Sequence, residues 1–89
     1  MLTKNDFIQK IKQNVEELTL GVKTVSDIND NDELINTLGL DSLDYAIIML
    51  QVQKWSNITI SESNVKWGSI QTIEELANLF MQHIAPGSD

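Results

Sequence analysis

Apolar residues near the start of the chain recur at helical spacing. The apolar positions are Phe7, Ile8, Ile11, Val15 and Leu18. The positions assigned to the opposite, polar face are Lys10, Lys12, Gln13 and Glu16. This pattern predicts an amphipathic first helix. Thr3 or Asn5 can cap its start, and Gly21 is a natural stop at its end.

A long polar connection, 22–41, follows, with an apolar cluster formed by Leu34, Ile35 and Leu38. A connection of this length in so short a chain is usually functional. After it, Asp41 can cap a second helix that runs from about Ser42 to Trp55, accepting a hydrogen bond from the amide of Leu43 or Asp44. The acidic Asp44 also favours a helix start. We expect this helix to turn four side chains towards the core: Ala46, Ile48, Met49 and Val52.

The last third of the chain predicts one extended link and two helices. Residues 57–61 alternate like a strand but have no partner strand, so we interpret them as a link. Ser61 can cap a short helix that continues through Trp67. Thr72 and Glu75 form a capping box that opens a last helix, which ends before Pro86. This helix carries the apolar residues Ile73, Leu76, Ala77, Phe80 and Ile84 at helical spacing. The predicted fold is all-α: a small antiparallel four-helix bundle, with three long helices, one short helix and a long loop between helices 1 and 2.

Length and composition narrow the possible classes. The chain has 89 residues, which is enough for one domain, placed at 1–85 with a tail at 86–89. It contains 13 acidic residues and 6 Lys or Arg, for a net charge of -7. This balance argues against nucleic acid and favours partners with basic surfaces. Six of the acids, and no lysine, fall between Thr24 and Gln53.

The sequence also suggests where the protein works. The first twelve residues mix charged with apolar positions, unlike a signal peptide. The longest apolar run, Ala46 to Leu50, is too short to cross a bilayer. With no cysteine there is no disulfide framework and no thiolate of the chain's own. We expect a soluble, cytoplasmic monomer that does not insert into membranes.

The residues can be compared with the requirements of two kinds of site, a serine hydrolase and a calcium-binding loop. Ser42 as a hydrolase nucleophile needs a base, but the one histidine, His83, lies near the end of the last helix, and no G-x-S-x-G elbow surrounds the serine. A calcium loop that starts at Asp27 has Asp32 where glycine is required and Leu38 where glutamate is required. We therefore predict no enzyme activity and no metal site.

The stretch "LGLDSLD", residues 38–44, resembles the attachment motif Leu-Gly-x-Asp-Ser-Leu of the acyl carrier proteins. The matching residues are Leu38, Gly39, Asp41, Ser42 and Leu43. The resemblance extends over nearly the whole chain, from the first helix and the long loop to the capped last helix.

The resemblance implies a carrier, not an enzyme. In the family a phosphopantetheinyl transferase, using coenzyme A and magnesium, joins 4'-phosphopantetheine covalently to the serine, here Ser42, with Asp41 and Leu43 on either side. The arm ends in a thiol, on which acyl groups travel as thioesters. A serine without a base suffices when another enzyme activates it. The helix start also lies near the phosphate. The implied partners are the transferase and the acyl-loading, condensing or acyl-transfer enzymes.

The helix after Ser42 departs from the family pattern. Many fatty-acid carriers show acids on this helix, whereas the expected partner-recognition residues here are mainly apolar. They are Leu43, Asp44, Ile47, Leu50 and Lys54. Such a helix implies a contact surface beyond the core, unless the long loop covers part of it. The departure favours a specialised acyl or polyketide-type pathway over general fatty-acid synthesis. An amino-acyl carrier and an unmodified interaction module that docks through this helix stay open as alternatives.

The resemblance also implies a cleft beside the helix that bears the serine, into which an acyl chain can fold. The apolar residues expected to line such a cleft here are Met49, Val52, Ile58, Ile60, Ile70 and Leu76. The alternative is a cleft filled by these same side chains, with the acyl chain left in solvent.

Overall fold

The computed structural model describes residues 2–61 and 65–84, and its regular structure in these ranges is helical. Three α-helices follow one another: α1 is Lys4–Leu18, α2 is Ser42–Ser56 and α3 is Ile73–Gln82. Two 3-10 turns, Val25–Asp27 and Trp67–Ser69, lie in the connections. Within the described ranges the strand-like pairing is a single isolated bridge between Glu33 and Thr72. The predicted all-α class is confirmed.

The start of each α-helix is fixed by a capping box, in which the N-cap side chain and the side chain three residues later each accept from the other's amide. The pairs are Thr3 with Asp6, Asp41 with Asp44, and Thr72 with Glu75. These bonds satisfy amides that a helix start leaves free. Backbone hydrogen bonds from Thr72 and Gln71 also lower the pKa of Glu75.

The end of α1 is a Schellman motif. The amide of Gly21 donates to the carbonyl of Glu16 at 2.9 Å, and that of Leu20 donates to Glu17 at 3.1 Å. This places Leu20 in the left-handed region, at φ 54°, and Gly21 follows at φ 83°. The position occupied by Leu20 is the one that usually holds glycine. A leucine is therefore held in a conformation that suits it poorly.

The core forms where α1 contacts both other helices. Phe7 of α1 stacks on Phe80 of α3 with ring centroids 5.4 Å apart, and the edge of Trp55, near the end of α2, meets Phe7 at 5.5 Å. Burying such a ring contributes about 1.5–3 kcal/mol. Further fully buried side chains come from all three helices and from Leu34 of the long connection. The end of α2 thus lies beside the start of α1.

The long connection packs against the helices at its centre. The carbonyls of Asp30 and Asp32 accept from the amides of Glu74 and Ile73, at 2.9 and 3.2 Å. These are the first two residues of α3, so the connection pairs amides that the capping box does not reach.

The same packing overturns one expectation for α1. Lys12 was predicted on the polar face, but it is buried, and its Nζ forms an ion pair with Asp30 at 2.8 Å. Asn14 is buried as well. The reason is that the connection brings Asp30 against α1, so that part of the predicted solvent face is enclosed. A lysine survives there because a carboxylate meets it.

Three other expectations are not confirmed by the described residues. The short helix predicted from Ser61 to Trp67 is not confirmed: residues 62–64 lie outside the described residues, and the neighbouring turn is Trp67–Ser69. Ala46, predicted to face the core, is exposed, because it shares a helix face with Ser42 (i, i+4). Ile84 lies beyond the end of α3. The predicted tail, 86–89, falls outside the described residues.

None of the helices in the described ranges is both long and apolar enough to span a membrane.

Candidate functional site

Ser42 is the first residue of α2 and is exposed. The N-cap before it, Asp41, accepts from the amide of Asp44 through Oδ1 at 2.8 Å. Within the described chain, the amides of Ser42 and Leu43 donate to no protein acceptor. Two N–H groups at the positive end of a 15-residue helix therefore remain available beside the serine.

The turn that precedes Ser42 shows what Leu38, Gly39 and Leu40 contribute to the structure. The amides of Leu38, Gly39 and Leu40 donate to carbonyls within 33–35 at 2.9, 3.1 and 3.1 Å. Gly39 has φ 75°, a left-handed conformation that glycine adopts without strain. Leu38 and Leu40 are buried. The two leucines anchor the turn and the glycine reverses it, so Ser42 is presented at a fixed place.

The serine hydroxyls of the described chain differ in their bonding. Ser56 Oγ donates to the carbonyl of Val52 at 2.7 Å, and Ser69 Oγ donates to Lys66 at 2.7 Å. Among the residues described, the hydroxyl of Ser42 has no protein partner. It is free to react when another enzyme activates it.

Ser42 also lies on the rim of a cavity of about 820 Å³. The apolar part of the lining comes from α2 and from the segments after it, including Ala46, Met49, Leu50, Ile60 and Ile70. The polar part comes from Glu33, Asn36, Gln53 and Gln71. Ile35 of the long connection lines the cavity too. Ser42, at the start of α2, thus lies next to a cavity with a mainly apolar wall.

One wall of the cavity is tied to α2 by an aromatic pair. The hydroxyl of Tyr45 donates to the carbonyl of Ile70 at 3.0 Å, and its ring meets Trp67 edge to face with centroids 6.0 Å apart. Burial, and after it the negative charge of Glu75, raises the pKa of Tyr45 to about 12. The phenol therefore stays a donor through the physiological range.

Comparison with known proteins decides the family. A family model described as "Phosphopantetheine attachment site" matches residues 9–80. The chain belongs to the phosphopantetheine-attachment family. Carrier domains of this family hold 4'-phosphopantetheine covalently on a serine. A comparison with curated proteins found no match.

The residues around Ser42 fit the carrier family's cofactor. The exposed hydroxyl has no protein partner in the described chain, and the two free amides at the start of α2 suit a phosphate. The carboxylates of Asp41 and Asp44 oppose a phosphate, although both accept amide hydrogen bonds in the capping box. When bound, the arm supplies the thiol that this cysteine-free carrier lacks.

The predicted partner-recognition residues lie along α2 of the carrier domain with different exposures. Leu43 is 68% exposed and Leu50 is 62% exposed. Lys54 is exposed, whereas Asp44 and Ile47 are half-buried. Two large apolar side chains therefore face solvent on the same helix as Ser42.

The six predicted cleft residues are not all brought together. Met49, Ile60 and Ile70 line the cavity beside Ser42. Val52 and Leu76 do not line it, because both are fully buried in the core. Ile58 lines a separate depression of about 390 Å³.

Sequence reasoning missed two aromatic residues of the cavity wall beside Ser42, Tyr45 and Trp67. A signal was present, because Ser42, Tyr45, Ala46, Met49 and Gln53 are spaced as one helix stripe. All five line the cavity.

Proposed function

We propose that this chain is an acyl carrier protein that bears its phosphopantetheine arm on Ser42. The observation that carries the proposal is the placement of Ser42. Its hydroxyl has no protein partner in the described chain, and it lies at the start of α2 on the rim of a cavity of about 820 Å³. The arm's thiol would carry acyl groups as thioesters, with Asp41 and Leu43 flanking the attachment point.

We further propose that the cargo lodges in this cavity. Its lining is mainly apolar, and Met49, Ile60 and Ile70 offer an acyl chain the contacts that it lacks in water. Met49 has an unbranched side chain that can move aside for a guest. Val52 and Leu76 would support the wall from the core behind it.

The proposed pathway is a specialised acyl or polyketide-type one. The support is the apolar exposure of α2, where Leu43 and Leu50 face solvent. Half-buried Ile47 and exposed Lys54 continue this helix. Partner enzymes that load, condense or transfer acyl groups would dock here, next to Ser42 and Asp44. Such partners need an apolar contact in addition to basic residues that meet the acidic segment.

The exposed leucines also favour a second candidate, an unmodified interaction module. In that case Leu43 and Leu50 would bind a partner with no arm on Ser42. The two candidates differ in one chemical property, the modification of the serine.

The test is an intact mass of the purified protein after incubation with coenzyme A, magnesium and a broad-specificity phosphopantetheinyl transferase. We expect a gain equal to the arm, which is absent in Ser42→Ala. Ser26→Ala is the matched control, because Ser26 is another exposed serine in the acidic segment, and it should be modified normally. No gain under conditions that modify a known carrier would overturn the proposal and favour the interaction module.

A further inference from the structure

The described lining of the cavity contains one acidic side chain, that of Glu33. No lysine, arginine or histidine is among the described lining residues. The amide side chains of the lining, Asn36, Gln53 and Gln71, are neutral, and Ser42 and Tyr45 contribute hydroxyls. A guest in this cavity therefore meets one acidic side chain and no basic one from the described lining.

Glu33 is held firmly in the wall. Its Oε1 accepts from Asn36 Nδ2 at 2.6 Å, so two lining residues fix each other. Its backbone forms the isolated bridge with Thr72. The next residue, Leu34, donates its amide to the carbonyl of Gln71 at 2.9 Å. The backbone at Glu33 is therefore fixed, and its carboxylate has one exposed hydrogen bond, to Asn36.

Further acidic residues lie near the cavity, and two exposed lysines, Lys54 and Lys66, adjoin its lining residues in the sequence. Asp41 and Asp44 flank Ser42 at the cavity rim. Glu75 does not line the cavity, but its negative charge adds to the effect of burial in raising the pKa of Tyr45, a lining residue. Glu33 is half-buried, so beside a mainly apolar wall its charge is screened less than in open water.

We propose that the cavity selects its cargo by charge. It favours an acyl chain whose far end carries a protonated amine, accepts a neutral chain less well, and disfavours a chain that ends in a carboxylate. This inference rests on the proposed carrier function and names the class of cargo for that same site. Glu33 is the residue that determines the specificity.

The experiment loads the protein on Ser42 with three cargoes of matched length from synthetic coenzyme A thioesters. These are 6-aminohexanoyl, heptanoyl and adipoyl, which end in an amine, a methyl group and a carboxylate. The thermal midpoint of each form is measured against the bare-arm form at pH 7 and low salt. We expect the midpoints to fall in that order, with steps of roughly 2–5 °C.

Three variants test whether the cavity wall causes the order of the thermal midpoints. Glu33→Gln keeps an oxygen acceptor for Asn36, and it should bring the three midpoints together. Glu17→Gln removes the same charge from an exposed site on α1 that does not line the cavity, and it should keep the order. Gln71→Glu adds a carboxylate to the wall and leaves Glu33 unchanged, and it should widen the differences between the three midpoints.

The possible failures are distinguishable. Equal midpoints for the three cargoes in the unmodified sequence overturn the inference, and so does an order that survives Glu33→Gln. If Glu33→Gln does not fold, steps that fail to widen in Gln71→Glu overturn it. In each case the intact mass shows the loaded arm, so the carrier function stands. Absence of the arm itself overturns the proposed function and the inference with it.

Discussion

The hydroxyl of Tyr45 donates a hydrogen bond to the carbonyl oxygen of Ile70 at 3.0 Å. The bond joins the first turns of α2 to the segment that closes the far wall of the cavity. Trp67 packs on the same ring, edge to face. The shape of the cavity therefore depends on this contact between residues 25 positions apart.

The titration of Tyr45 should show how the contact shields the phenol. Burial and the charge of Glu75 raise its pKa from 10.0 to about 12. Tyr45 is the one tyrosine of the chain, so absorbance near 295 nm reports it alone. We expect a midpoint near 12 in the folded protein and near 10 in denaturant. Coincident midpoints in the two conditions would contradict a shielded phenol.

The same shift predicts how stability changes with pH. The folded state holds this proton more tightly than the unfolded state, so the stabilisation is complete below pH 10 and is lost as the pH rises towards 12. We expect Tyr45→Phe to remove the part of this loss that the phenol causes, measured by urea unfolding at several pH values. An identical decline in both proteins would assign it to other groups, such as the lysines.

At neutral pH, Tyr45→Phe should reduce the free energy of unfolding by about 0.5–1.5 kcal/mol, because the carbonyl of Ile70 loses its donor while the ring stays. Urea unfolding measures the difference. As a matched control, Ser69→Ala deletes an exposed hydroxyl bonded to a backbone carbonyl in the neighbouring turn, and it should cost less.

Leu20→Gly should stabilise the protein. Leu20 is 91% exposed and has φ 54°, so its side chain gains little contact and its backbone is strained. Relief of roughly 1–2 kcal/mol is partly offset by the greater freedom of glycine in the unfolded chain. We expect a net gain of about 0.5–1 kcal/mol in urea unfolding. Val22→Gly, at a neighbouring site that is 77% exposed and outside the left-handed region, should give no gain.

Removing negative charge near Ser42 should slow its modification by a basic transferase. Asp44→Asn lowers the local charge, and both the rate and its salt dependence should fall. Glu17→Gln, the same charge change on α1, should leave the rate nearly unchanged. Asp41→Asn should in addition cost about 1 kcal/mol of stability or less, because an amide can still cap α2. A rate indifferent to salt and to Asp44→Asn would count against electrostatic recognition.

Loading the arm with longer acyl chains should raise the thermal midpoint until the cavity is full. Each methylene that enters the apolar lining contributes at most about 0.8 kcal/mol. Narrowing the cavity with Ala46→Leu, at an exposed lining residue of α2, should shorten the chain at which the midpoint stops rising. A midpoint independent of chain length would show that the cargo stays in solvent.

The sequence predicted the α-helices well because their signals are local. Thr3, Asp41 and Thr72 were each named as possible caps, and each accepts the capping bond. The N3 role of Asp6 was missed, because the usual pattern has glutamate or glutamine there.

The errors arose where distant segments meet. Helical periodicity assigns Lys12 to a polar face and cannot show that Asp30 will be packed against it. The cavity wall has the same origin, since the bond from Tyr45 to Ile70 and the placement of Glu33 beside Thr72 join segments far apart in the sequence. Ser42 could be predicted as the attachment serine because its motif is contiguous, whereas the residues that surround it in the fold are not.

The docking of the long connection on α3 has a consequence for the order of folding. The amides of Ile73 and Glu74 find their acceptors in Asp32 and Asp30, about forty residues earlier in the chain. α3 can form its first turn and its capping box from its own residues. The amides of Ile73 and Glu74, in contrast, gain their acceptors only after a large loop closes. Hydrogen exchange at these two amides reports the departure of the connection, separately from the melting of the helix that contains them.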